Sequence, residues 1–150
     1  MLKNVVFTCL MYRHTRVVTV AVLKSRTWES NLRTSRWLSW GWALQKLLVL
    51  PVVEFFSREG DVLGTTEPLA QLIHEITDIP IAALQGTPLS QFPPAERMRW
   101  ASNRQTTRVE DQAYCLLGIL GITMPIVYGE GERAFARLQK ALDRLSGKLQ

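Results

Sequence analysis

The densest structural punctuation in the chain lies between Arg97 and Leu138, RMRWASNRQTTRVEDQAYCLLGILGITMPIVYGEGERAFARL, and it limits the fold more than any other stretch. Thr107-Arg108-Val109-Glu110 has the spacing of a capping box. In such a box the Thr107 hydroxyl accepts from the Glu110 amide, and the Glu110 carboxylate reaches back to the Thr107 amide. The residues that follow predict a helix with Val109, Ala113, Leu116, Leu117 and Leu120 on its buried face and Glu110, Asp111 and Gln112 turned outward. Gly121 marks its stop and Met124-Pro125 an extended segment. A second helix is expected from Gly131 onward, burying Phe135, Leu138, Leu142 and Leu145. The Gly129-Glu130-Gly131 turn before it offers helix amides to an anion. It lacks the trailing Lys-Ser/Thr of a phosphate loop and the third glycine of a dinucleotide fingerprint, so it reads as a structural turn.

Upstream, the period of the apolar residues changes twice. Val5 to Leu10 and Arg16 to Leu23 are β-branched runs that predict two strands joined at Tyr12-Arg13-His14. The second run is almost continuous in apolarity, which suits a strand covered on both faces. From Trp37 the spacing is helical, with Trp37, Trp40, Leu44, Leu47 and Leu48 on one stripe that ends before Pro51. A glycine inside that helix, Gly41, costs about 1 kcal/mol against alanine and so implies close packing. Val52 to Phe56 predicts a strand and Ser57 to Asp61 a turn. Thr65 or Thr66 then caps a helix with Pro68 in its first turn and Leu69, Leu72, Ile73 and Ile76 inward. Ile79-Pro80 ends it, Ile81 to Leu84 adds a turn stopped by Gly86, and Pro93-Pro94 leads into a helix carrying Met98 and Trp100. This order of elements predicts an α/β core with a mainly α-helical C-terminal half.

Composition narrows the class. A chain of 150 residues, 47% hydrophobic and 21% charged, suits one globular domain rather than a disordered segment. No apolar run reaches the roughly 18 residues of a membrane span, and no cleavable leader is evident near Met1, so a cytoplasmic protein is expected. Cys9 and Cys115 lack metal-ligand spacing and read as reduced thiols; His14 and His74 stand isolated, so no metal site is expected. The net charge of +5 is uneven: residues 1–36 hold seven Lys/Arg against one Glu, whereas 37–150 hold eleven against twelve acids. Such a basic arm suits nucleic acid or an acidic surface, but no reading motif accompanies it, and a solvated terminus is the favoured reading.

Several motifs recur here in one order: SRTWESN-RTSRW, GW-LQ, VEFFSREG, IHEIT-IP-AL-G, RM-W, NRQTTR-ED, AY-LLGI, MP--YGEG and AF-RLQ. Together they resemble the C-terminal part of the fungal heterokaryon-incompatibility (HET) domain, over roughly Ser25 to Ala141. The resemblance implies a function in fungal non-self recognition and programmed cell death. It also implies a TIR-like fold with a partial parallel sheet and a helical extension. On this reading residues 1–24 are divergent N-terminal strands and 25–150 the C-terminal portion of a HET domain, with the family's opening strands absent. The family-signature residues Trp42, Gln45, Arg97, Trp100, Arg104, Arg108, Glu110, Asp111, Tyr128, Gly129 and Gly131 are candidates for an interaction surface.

One position decides the chemistry that the resemblance allows. Family members usually read GWTLQEL where this chain has Gly41-Trp42-Ala43-Leu44-Gln45-Lys46-Leu47. In related TIR enzymes the glutamate of that helix is required to split the nicotinamide–ribose bond of NAD, where a carboxylate stabilises an oxocarbenium-like transition state. Lys46 stands there instead, with the wrong sign and only donors to offer. Glu54 is a weak alternative, eight residues on. The expectation is therefore an interaction or scaffold module, or a degenerate remnant, needing no cofactor and acting through a protein partner or self-association. The alternatives are a weak NAD glycohydrolase, the only reading that requires NAD, and binding of nucleic acid or an acidic surface through the N-terminal arm. Arg97, Arg104 and Arg108 facing Glu110 and Asp111 are expected to pair as a polar cluster.

Overall fold

The computed structural model describes residues 6–12, 15–22, 28–50, 52–57 and 61–147, the first two segments as backbone alone. The β-branched runs form β1 (Val6–Tyr12) and β2 (Thr15–Val22), paired antiparallel from Val6↔Ala21 to Tyr12↔Thr15. The link expected at residues 13–14 lies outside the described residues. After α1 (Trp28–Arg33) and α2 (Gly41–Val49), the chain returns as β3 (Val52–Ser57). β3 lies parallel to β2 in the register Val17↔Val52. β4 (Val62–Thr65) then pairs antiparallel to β3, with a register shift at Phe55/Phe56. The sheet order is β1-β2-β3-β4. The class is α/β as expected, with a finer correction: of the three ladders only β2–β3 is parallel. β4 was not foreseen, because four residues interrupted by Gly64 at φ 144° are too short for a period-two signal.

The helical stripe expected from Trp37 to Leu48 is broken. Arg36–Ser39 is a 3-10 turn, opened by Ser35, whose hydroxyl accepts from the Trp37 amide at 3.3 Å. Trp40 is extended, and α2 starts only at Gly41. A second strand of backbone holds the break: the Gln105 amide donates to the Ser39 carbonyl at 2.8 Å, and the Gly41 amide donates to the Gln105 carbonyl at 3.0 Å. Trp37 therefore leaves the α2 stripe and packs edge-on against Phe55, with ring centroids 6.1 Å apart.

Six further helices agree with the punctuation in part. α3 (Ala70–Thr77) begins after a Thr66–Leu69 turn, and neither Thr65 nor Thr66 caps it; the Thr66 amide is spent on the Val53 carbonyl instead. α4 (Ile81–Leu84) stops before Gly86 at φ 92°, and α5 (Pro94–Arg99) has proline in its first turn. The single helix expected after Thr107 is two short ones, α6 (Asp111–Tyr114) and α7 (Leu117–Leu120), closed by Gly121 at φ 67°. α8 (Arg133–Gly147) buries Ala134, Leu138 and Leu142. Phe135 and Leu145, expected inside, are 41% and 45% exposed. The buried stripe runs at four-residue intervals through Ala134, and Phe135 lies one position off it.

Two apolar clusters result. One joins Val53 and Phe55 of the sheet to Trp37, Leu44, Leu47, Ile73, Ile79 and Ile119. The other joins Tyr114, Leu116 and Leu120 to Ala134, Leu138 and Leu142. α2 touches both: Ala43, Leu44 and Leu47 belong to the first, while Trp42 packs against the second. Each fully buried leucine here contributes about 1.5–3 kcal/mol.

Candidate functional site

Most of the signature residues meet around one carboxylate. Glu110 is buried, and one of its oxygens accepts from the amides of Gly129 at 2.8 Å and Gly131 at 3.1 Å. Those glycines have φ of 96° and 60°, so the turn folds its amides into a concave anion site. The chain supplies the anion itself. The Glu110 carboxyl is held below its ordinary value by its own backbone amide first, then by those of Gly131 and Gly129. The capping box therefore does not form: α6 starts at Asp111, and Glu110 makes no side-chain cap. The 19-residue reach to Gly129 outcompetes the local bond because it satisfies two amides at once.

Around this clasp the polar groups pair in series. Asp111, expected outward, is buried and accepts from the Tyr128 hydroxyl at 2.9 Å. That bond, with burial, pushes the Tyr128 phenol up. Arg108 stands over the Tyr128 ring at 4.7 Å. Tyr114 lies edge-on to Tyr128, with centroids 5.6 Å apart. Its hydroxyl accepts from the Val127 amide at 2.8 Å and donates to Glu130 at 2.7 Å. Arg137 of α8 pairs with Glu130 and donates to the Pro125 carbonyl at 2.8 Å. Val109, expected on the buried face, is 51% exposed, since the chain turns there to aim Glu110 inward.

The arginine–carboxylate cluster is not assembled as expected. Arg97 is buried and donates to the Ile119 carbonyl at 2.7 Å, while its Nε has no partner. Arg104 donates to the carbonyls of Trp100 and Leu38, and burial brings its guanidinium down to about 10. Both arginines bind backbone carbonyls, and of the three it is Arg108 that reaches the Glu110–Asp111 neighbourhood. Trp100 is a core residue, edge-on to Phe92 at 5.3 Å.

The third group lies on α2. Trp37, Trp40, Trp42, Ala43 and Lys46 line a cleft of about 260 Å³, and among the described residues no carboxylate lines it. Lys46 is half-buried there, and Trp40 is 39% exposed. Glu54 sits on β3 opposite Thr19 and Thr65 and does not line that cleft. On its other side α2 meets the C-terminal helices through two glycines. A Cβ on Gly41 would stand 2.8 Å from Cys115 Sγ, and one on Gly118 would stand 2.9 Å from Gln45 Nε2. Gln45 is thus held between helices, with its side-chain oxygen unpartnered. Cys115 is buried, and burial with Asp111 nearby raises its thiol to about 11, which disfavours the thiolate.

Sequence reasoning missed Tyr114, Glu130, Arg137 and Gly118 as parts of this arrangement. Their signal was the joint presence of AY-LLGI, YGEG and AF-RLQ, which are far apart in sequence and touch in space. His74 Nδ1 lies 2.7 Å from the Ile79 carbonyl. Among the described residues no three His, Cys, Asp or Glu side chains converge as metal ligands, and no helix is long and apolar enough to cross a membrane.

The chain is 43% identical over 123 residues to the vegetative incompatibility protein HET-E-1 of Podospora anserina. The match takes in 82% of this chain and 9% of that relative, so the chain spans under a tenth of the relative's length. No family model matches the chain. No solved structure matches it either.

Proposed function

We propose, from the premise that this chain is a fungal heterokaryon-incompatibility (HET)-type protein, that it is an interaction module of the system that kills incompatible fused hyphae. On this reading it acts in the hyphal cytoplasm, through a protein partner or a second copy of itself, without a cofactor and without catalysis at α2.

Lys46 carries the reading. It stands where the TIR resemblance calls for a carboxylate, in a cleft that three tryptophans line and to which no acid among the described residues contributes. A cation there opposes the positive charge that grows on a sugar ring as its nicotinamide bond breaks. A half-exposed tryptophan next to a lysine instead has the composition of a protein-binding anchor, where aromatic area excludes water around a few contacts.

Expression of the chain in fungal hyphae, with microscopy of cell death after fusion, tests this. Wild type and Lys46→Gln are expected to support killing equally, and Trp40→Ser to weaken it while the purified variant keeps its circular dichroism spectrum. Full killing by Trp40→Ser, or loss of killing with Lys46→Gln alone, contradicts the proposal.

A further inference from the structure

We propose that the cleft between α3, α5 and the Arg36–Ser39 turn binds a small phosphorylated ligand that also carries hydroxyl groups. This site is separate from the tryptophan cleft. It has a volume of about 350 Å³, and three guanidinium groups, Arg33, Arg99 and Arg104, line it with one carboxylate, Asp78, so that the cations outnumber the acid. That volume falls in the range of ordinary small-molecule sites.

Arg104 is the main argument. No carboxylate stands beside it among the described residues, and its two hydrogen bonds go to neutral carbonyls, those of Trp100 and Leu38. A partly buried cation matched only by dipoles remains under-compensated, and an incoming anion corrects that. Arg33 and Arg99 are more open, with side chains 46% and 60% exposed, and pair with Glu75 and Asp78. Each of these two can turn its remaining donors to a ligand, because an arginine fork holds more than one acceptor. Three forks supply more donors than one carboxylate's two oxygens can use, and a phosphate ester's three oxygens fit them better.

The hydroxyls complete the assignment. Ser39 donates to the Arg36 carbonyl at 2.7 Å, Thr77 to Ile73 at 2.7 Å and Ser102 to Arg99 at 2.8 Å. All three line the cleft with their protons committed to backbone, so Ser39 and Ser102 offer it only lone pairs, while Thr77 already accepts from the Ile79 amide at 3.3 Å. Lone pairs call for donors, which the hydroxyls of a polyol provide.

Titration calorimetry of the purified chain at low salt, with glucose 6-phosphate, inorganic phosphate and glucose as probes, tests the assignment. Glucose 6-phosphate is expected to bind with a Kd of about 1 mM or tighter, inorganic phosphate more weakly, and glucose not measurably. Arg99→Gln should weaken glucose 6-phosphate about tenfold. Asp78→Asn, which frees Arg99 from its partner, should tighten it severalfold. Arg104→Lys should weaken it at least about tenfold, read alongside a melting curve because Arg104 also ties two carbonyls. No saturable binding of glucose 6-phosphate overturns the site. So does an affinity left unchanged by both Arg99→Gln and Asp78→Asn, or equal heats from glucose alone.

Discussion

Glu110 closes the C-terminal half by lending one oxygen to two amides that would otherwise be left without a partner as the Gly129–Gly131 turn packs down. Replacing it with alanine leaves both donors unsatisfied, and Glu110→Ala is expected to lower Tm by several degrees in a calorimetric scan. A variant that melts with wild type would show the clasp to be incidental. The pH dependence has a fixed sign. Because the folded carboxyl is depressed below its ordinary 4.5, its stabilisation is complete above that pH and fades as pH falls through the lower folded value. The Tm gap between wild type and Glu110→Gln should therefore be widest near neutrality and narrow below about pH 4.5. Little of this was legible residue by residue. Thr107 and Glu110 have capping-box spacing, and local pattern reasoning assigns the carboxylate to its neighbour; nothing in a four-residue window shows that a glycine turn 19 residues on competes for it. What was legible is that the Gly129–Gly131 turn is structural, which follows from the residues it lacks.

At the scale of elements, the helices meet where side chains are smallest. The expectation of close packing at Gly41 holds, and the partner is Cys115 Sγ, 2.8 Å from where a Cβ would stand, with Thr106 Cγ2 at 3.0 Å. Gly41→Ala is expected to destabilise by about 1–3 kcal/mol in urea unfolding, and Cys115→Ala in the same chain to recover part of that loss. Gly118→Ala should also destabilise, because its Cβ would stand 2.9 Å from Gln45 Nε2 and 3.2 Å from Val49 Cγ2. Neutral behaviour of Gly41→Ala contradicts the packing. On α8, Leu138→Ala should cost about 2–5 kcal/mol and Phe135→Ser less than about 1, which reverses the rank that size alone suggests. Helix existence was readable from periodicity, the start of α5 from Pro94 and the stop of α7 from Gly121. Helix edges were not. The breaks at Trp40 and at Cys115–Leu116 come from packing between α2, residues 104–106 and α6, which no single-segment period contains.

Across the whole molecule, α2 is the shared element. Its Ala43, Leu44 and Leu47 join the cluster under the sheet, its Trp42 packs on the C-terminal cluster, and Gly41 and Gln45 are held against the α6–α7 segment. Lys46 projects from that same helix into the tryptophan cleft. The position is thus rigidly presented, and the sign of its charge determines which chemistry it supports. The α/β class and the motif order were visible in the sequence because both are carried by long periodic runs and many separate residues. That Glu54 stays off the walls of the Lys46 cleft was not, since it depends on how β3 packs against α2. The most direct test is to incubate the purified chain with NAD and follow free nicotinamide by chromatography. No release above the buffer blank is predicted; sustained, protein-dependent release with Lys46 in place would contradict the claim that this helix is catalytically inert.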